Sequence, residues 1–434
     1  MVTADPSLQE WEKRVRVIQA CRACGGRMLR PVIDLGPQCL AGLFDDGRPE
    51  NRLATPIPLE VVGCDPSSGG CGFIQLRHSV PPDLMFQDYG YRSGLNESMR
   101  RHLEGLSKEI ETKLSLKAGD VVVDIGANDG TALLAYREPG LVRLGFEPSN
   151  AALEAEQKGV RILRKFFSSE SGAEDFEKEC PGKKARAVTT IAMFYDIEDP
   201  AGFCRQIHRI LAEDGLWVVE LHYWGSMLET NAFDAICHEH LGYYSLGCMN
   251  RLAEGCGFRL EDVTFNSANG GSMRCSFRKA SGPSRPGPEA QRRVDRAFAD
   301  EERAAVHSPE RFARFQANAA RVRSSTQELV RKAVQAGKSV YGYGASTKGN
   351  VLLQYCGFGP NDLVAIADRS PAKWGRRTPG TSIPICPEEE MRVARPDLLL
   401  ILPWHFLEGF LEREKPLRAG GTRFIVPFPE PRVV

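Results

Sequence analysis

Neither sign of charge prevails in this chain: 56 Lys and Arg stand against 56 Asp and Glu, a formal net charge of zero over 434 residues. That balance excludes a global field of the kind that draws a protein to nucleic acid or an anionic membrane. Long hydrophobic runs are missing as well, and no apolar stretch approaches the roughly 20 residues of a spanning helix. The opening Met1-Val-Thr-Ala-Asp-Pro-Ser lacks a basic region followed by an apolar one, so a cytoplasmic rather than a secreted protein is expected. Nothing reads as an extended coiled coil. Histidine is scarce, at 8 residues, so the pair in His238-Glu239-His240 stands out. The remaining composition, 42% hydrophobic and 26% charged, is that of a globular enzyme whose length suggests roughly three domains.

Cysteine, in contrast, is plentiful and odd in number at 13. Cys204, Cys248, Cys256, Cys275 and Cys356 sit in apolar segments and read as small core residues or free thiols in a reducing compartment. Four others are placed differently. Cys21-Arg-Ala-Cys24 is a tight pair, and Cys64 and Cys71 follow about forty residues on, across a glycine-rich turn. Two such pairs can make a tetrahedral thiolate site for zinc, although the second spacing is longer than usual. Disulfides or free thiols are the alternatives. A reducing compartment weighs against the first, and the need of so short a segment for a staple weighs against the second. The segment 1–82 is therefore expected to be a zinc-binding module. It carries no basic cluster with aromatics, so nucleic acid is not indicated.

The most informative stretch is Val121-Val-Val-Asp-Ile-Gly-Ala-Asn-Asp-Gly130. Three β-branched residues read as a buried parallel strand, and the glycines make a tight turn into a helix. Such a turn lets the backbone approach a ligand closely. Seventeen residues on, Leu144-Gly-Phe-Glu147 ends a second apolar run in an acid that can accept both hydroxyls of a ribose. The competing dinucleotide fingerprint wants three glycines, but only Gly126 and Gly130 are present, and Asp124 and Asp129 would repel a pyrophosphate. The pattern resembles the S-adenosylmethionine (SAM) site of class I methyltransferases.

Strand and helix patterns alternate from Glu97 to about residue 280, which predicts a parallel sheet with helices on both faces over 83–280. Ser281-Gly-Pro-Ser-Arg-Pro-Gly-Pro288 punctuates the chain, and a charged helical stretch follows to Gly337. A second α/β unit closes the segment 281–434, with strands at Lys338–Ser346, Leu363–Asp368, Leu398–Leu402 and Arg423–Pro427. Its glycine turn and Lys348 can hold a phosphate or diphosphate. A packing domain without a ligand is the alternative reading.

The order of parts resembles the SAM-dependent C-methyltransferases that act on nucleotide-linked keto-deoxysugars in secondary metabolism. The resemblance rests on His238-Glu-His-Leu-Gly-Tyr-Tyr-Ser245, Asn269-Gly-Gly-Ser-Met-Arg274, Gly342-Tyr-Gly-Ala-Ser-Thr-Lys-Gly-Asn350, Asp368 to Pro384, and the four cysteines. It implies structural zinc on Cys21, Cys24, Cys64 and Cys71. It also implies a base that removes the proton beside a ketone, so that the enolate attacks the SAM methyl group. His240 matches that base and Glu239 its acidic partner, with a structural histidine as the other reading of His240. His238 belongs to the same motif. Cys237 and Asp196 stand where the family often has tyrosine and histidine, which suggests a shifted substrate or reassigned acid-base roles. Tyr195, Tyr243 or Tyr244 can replace the lost hydroxyl. The resemblance carries SAM contacts onto Asp124, Gly126, Asn128, Asp129, Gly130, Glu147, Met193 and Phe194, and onto Tyr91 and Ser93 within Tyr89–Ser93. It puts Arg274, Lys348, Asn350 and Tyr244 near the nucleotide-sugar. Two other readings stay open: SAM chemistry on a different acceptor, or a non-catalytic binding homologue.

Overall fold

A computed structural model describes residues 11–46, 55–86 and 90–434; the opening residues and Tyr89 lie outside them. Its strands fall into three main sheets. The N-terminal part supplies β1 (Arg16–Val17), β2 (Leu29–Gln38), β3 (Ile57–Cys64), β4 (Ile74–Leu76) and β5 (His78–Ser79). The middle supplies β6 (Val121–Ile125), β7 (Val142–Phe146), β8 (Arg161–Leu163), β9 (Ala185–Ile191), β10 (Leu211–His222), β11 (Gly242–Tyr243), β12 (Phe258–Asn266) and β13 (Ser272–Lys279). The C-terminal part supplies β14 (Val340–Tyr343), β15 (Ile366–Asp368), β16 (Ile385–Pro387), β17 (Leu398–Ile401), β18 (Arg423–Val426) and β19 (Arg432–Val433).

The central sheet runs β12-β13-β10-β9-β6-β7-β8. Its five strands β10-β9-β6-β7-β8 pair in parallel, as the alternation predicts. The two added strands are antiparallel. Only the turn between Asn266 and Ser272 joins them, too short for a parallel crossover. All five residues of β6 are buried, which is why this strand reads as an unbroken apolar run. Helix Glu97–Leu114 covers one face through Met99, Leu103, Leu106, Ile110 and Leu114, spaced three and four apart. It packs on Val122, Leu133, Leu216 and Val218, and each such buried side chain contributes about 1.5–3 kcal/mol.

The C-terminal sheet, β16-β15-β14-β17-β18-β19, is parallel except for its last strand. In both α/β sheets the first strand has neighbours on either side reached by opposite crossovers. The crevice at such a switch point receives ligands. The charged stretch before β14 forms two helices, Pro288–Ala304 and Pro309–Gln335, parted where Ala305 turns to φ 47 and Ser308 caps the second.

The N-terminal sheet has the order β11-β4-β3-β2. Its edge strand β11 comes from within the expected methyltransferase stretch: Gly242 and Tyr243 pair with Gln75 and Ile74. Phe312, Phe315, Ala319 and Val322 of the second long helix share a core with Leu59, Val61 and Trp224, so this sheet is wedged between the other two. No helix among the described residues is long and apolar enough to cross a membrane.

Candidate active site

The turn after β6 is built from backbone that glycine takes easily. Gly126 lies at φ 77, and a Cβ there would come 2.9 Å from Met193 Cγ. Glu147 follows β7 and accepts from the Asn128 amide at 2.8 Å and the Ser149 amide at 2.9 Å. Thr189 donates to Asp124 at 2.6 Å, while burial pushes the Asp124 carboxyl up to about 7. The segment ahead of the first long helix is latched onto the turn: the Ser93 amide donates to Asn128 at 3.0 Å and the Gly94 amide to Asp129 at 2.9 Å.

Asp124, Gly126, Asn128, Glu147, Met193, Tyr91 and Ser93 line one end of a cavity of about 1400 Å³. The middle of that cavity is formed by Tyr195, Asp196, Glu239, His240 and His222. Tyr195 and His240 have ring centroids 4.3 Å apart, and His222 lies 5.7 Å from His240. His240 Nδ1 is 2.7 Å from the Ala235 carbonyl. A carbonyl only accepts, so Nδ1 carries the hydrogen and Nε2 keeps the lone pair. Burial, with the Lys348 ammonium adding to it, pushes the imidazole down to about 4. Burial also raises Glu239 to about 7, and a Cβ on Gly42 would collide with that carboxylate. Asp196 is raised by burial and by Glu239, and its Oδ1 has no hydrogen-bond partner among the described residues.

The far end belongs to the C-terminal sheet: Gly344, Ser346, Thr347, Lys348, Arg369, Lys373, His405 and Arg413. Lys348 lies in the first turn of helix Thr347–Tyr355, whose N-cap Ser346 accepts from the Gly349 amide. Its ammonium donates to the Asn269 carbonyl at 2.6 Å and to His222 Nε2 at 2.9 Å, joining the carboxyl ends of the two sheets.

Away from the cavity, Cys21 and Cys71 bring their sulfurs to 3.6 Å, as do Cys24 and Cys64. All four sulfurs lie within 4.8 Å of one another. Tetrahedral zinc with bonds of about 2.3 Å needs sulfurs about 3.8 Å apart, so the set fits. The glycine knuckles leave room: a Cβ at Gly70 would lie 2.6 Å from Cys64 Sγ. Without a cation the thiols resist ionisation. Cys21 is raised by its bond to Cys71 and by burial, and Cys64 is pushed up to about 11, chiefly by burial.

Three family profiles together match most of the chain: a zinc binding domain at 21–86, a methyltransferase domain at 91–263, and a C-methyltransferase C-terminal domain at 267–429. The C-methyltransferase NovU of Streptomyces niveus is 34% identical over 421 residues, covering 97% of this chain and 98% of the relative. The chain belongs to the SAM-dependent C-methyltransferases. Solved structures give partial likenesses only. A SAM-dependent methyltransferase from Clostridium acetobutylicum is 10% identical, over 42% of this chain and 92% of the other, with a TM-score of 0.33. Magnesium protoporphyrin IX methyltransferase from Synechocystis, with bound SAM, is 11% identical, over 41% of this chain and 78% of the other, with a TM-score of 0.31.

The C-methyltransferase uses SAM, and its N-terminal part matches a zinc binding domain in which the four-cysteine cluster has the spacing to hold the ion. The acceptor-rich wall of Asp124, Asn128 and Glu147 suits the ammonium and ribose hydroxyls of SAM, and Gly126 leaves the surface free of a side chain. Several residues named from the sequence stand elsewhere. Phe194 lies in the core against Phe203, Trp217 and Tyr244, not on the cavity wall; the adjacent Met193 faces the cavity instead. Tyr244 packs at 4.8 Å on Phe73 and is likewise a core residue. Asn350 is fully buried and donates to the Ala41 carbonyl at 2.7 Å. Arg274 is held by Glu220 at 2.6 Å and Glu109 at 3.1 Å, outside the cavity lining. His238 Nε2 lies 3.1 Å from the Ile57 carbonyl of β3, which makes it a tether to the N-terminal sheet. Asp129 and Gly130 shape the turn from behind, through Thr131 and the start of helix Thr131–Leu134. Cys237 is buried beside Glu239 and His240, one layer behind the wall.

The sequence reading missed His222, His405 and Ala192. His222 ends β10 much as an acid follows β7, a polar residue at the carboxyl end of a parallel strand, and that signal was present. Ala192 sits at φ 53 after β9, a strained backbone that no sequence pattern announces.

Proposed function

We propose that the enzyme methylates the carbon beside the ketone of a nucleotide-linked keto-deoxysugar through an enolate, with His240 as general base. The carrying observation is the orientation of His240: the ring stands on the cavity wall, Nδ1 is engaged by Ala235, and Nε2 keeps the lone pair that can accept a proton. A neutral imidazole with its Nε2 lone pair unengaged accepts the proton of the weak carbon acid. Bound SAM supplies the electrophilic methyl group. The C–H electron pair becomes the enolate and then the new C–C bond, while the departing S–C pair stays on sulfur. Asp124, Gly126, Asn128 and Glu147, with Tyr91, Ser93 and Met193 around them, hold SAM in this reading.

Glu239, near 7, in its protonated form donates a hydrogen bond to the enolate oxygen and keeps its proton, and the Tyr195 hydroxyl is a second donor from the same wall. Asp196 faces the acceptor and sets which sugar substituents are admitted. Lys348, with Arg369, Lys373 and Arg413 around the start of helix Thr347–Tyr355, receives the diphosphate. The work thus divides among zinc module 1–82, methyltransferase domain 83–280 and acceptor-binding domain 281–434.

The test is incubation with SAM and a panel of thymidine-diphosphate 4-keto-deoxysugars in deuterated water, followed by mass spectrometry. Deuterium uptake and a carbon-bound methyl are expected, and His240→Gln should lower both about 10²–10⁴-fold. A methyl group on oxygen or nitrogen, or uptake unchanged in His240→Gln, would overturn the assignment.

A further inference from the structure

Besides the four-thiol cluster, one other group of described side chains converges as metal ligands do. The Cys237 sulfur, a Glu239 carboxylate oxygen and a His240 ring nitrogen all lie within 4.8 Å of one another. Cys237 is 1% exposed and Glu239 5%. Glu239 also lines the cavity. Asp196 adds a buried carboxyl oxygen, Oδ1, that has no hydrogen-bond partner among the described residues. A carboxylate withdrawn from water costs free energy unless a donor or a cation meets it. His240 already has the second interaction typical of a ligating imidazole, since Nδ1 donates to a backbone carbonyl and Nε2 is left for a ligand.

Sulfur, imidazole nitrogen and carboxylate oxygen together are the donor set of zinc and its soft neighbours, not of calcium or magnesium. Tetrahedral zinc at about 2.0–2.3 Å sets its ligand atoms about 3.3–3.8 Å apart, so small side-chain rotations close the present spacing. We propose that Cys237, Glu239 and His240 form a second transition-metal site, for zinc or a metal of like softness, on the wall of the large cavity. Loading it occupies the His240 lone pair that the proposed reaction uses, so the loaded enzyme is silent. The site itself stands without that reaction.

The experiment uses the full chain with zinc in its four-thiol cluster, titrated with Co²⁺ and followed by metal analysis and absorption spectroscopy. The expected result is one further equivalent of cobalt with a thiolate-to-cobalt charge-transfer band and zinc content unchanged. Cys237→Ser should remove the band, and Glu239→Gln should weaken cobalt binding about tenfold or more while keeping it. Retained zinc and an unchanged circular dichroism spectrum establish that both variants are folded. The proposal is overturned by the absence of a thiolate band in the wild-type protein up to millimolar Co²⁺. It is overturned equally by a band that persists in Cys237→Ser, which would place the cobalt in the four-thiol cluster.

Discussion

Lys348 sets the electrostatics of the histidines around the cavity. Its ammonium pushes His222, His240 and His405 down, in each case after burial, and so favours neutral imidazoles around the cavity. Replacing it with methionine removes the cation, stabilises the protonated ring and raises the His240 value from about 4. In the proposed mechanism His240 works only when neutral, so activity is expected to be lost as pH falls through that value. The acid limb of kcat/KM against pH should therefore move toward neutrality in Lys348→Met, and an unmoved limb would remove Lys348 from the centre's electrostatics. The sequence offered Lys348 as a candidate phosphate contact because it opens a helix after a glycine turn. Its bond to His222 stayed hidden because the partners come from different sheets, 126 residues apart.

Among the elements, the β6 turn was legible and the walls that face it were not. An apolar strand, two glycines and an acid after the next strand are local patterns, and they placed Asp124, Gly126 and Glu147 on the cavity. Phe194 is another matter. It follows Met193, and which of two neighbours faces the cavity depends on the short 3-10 turn Phe194–Asp196, whose geometry no local periodicity fixes. The alternation read over 83–280 likewise gave no sign of the antiparallel β12–β13 pair. Gly126 offers the sharpest test at this scale. Gly126→Ala combines a positive φ with a Cβ against Met193, a strain of about 1–3 kcal/mol. Calorimetry should show SAM binding roughly tenfold weaker or worse, together with a lower Tm. Full affinity would mean that the turn yields without cost.

In the whole molecule, three sheets meet at one cavity, and each sheet's contribution depends on a different kind of contact. The wall proposed for SAM stands on β6, β7 and the latch at Ser93 and Gly94. The catalytic segment stands partly on the zinc layer, through His238 and Ile57 and through the pairing of β11 with β4. Stripping the zinc with a strong chelator, or substituting Cys24→Ser, should therefore lower Tm and cut turnover, the latter more than tenfold, while SAM affinity changes only a few-fold. Parallel loss of SAM binding would show that the layers are not separable. Composition and spacing revealed the three parts, but not that β11 crosses from one to another, since a two-residue strand leaves no periodic trace.

That crossing strand also bears on how the chain is made. β4 emerges from the ribosome long before its partner at Gly242, and at 5–20 residues per second the wait is roughly ten to thirty seconds. Throughout that interval the newborn sheet carries an open edge, the feature most prone to pairing with another chain. A nascent chain stalled or cleaved before Gly242 keeps that edge permanently, and becomes a seed for aggregation and a client for chaperones.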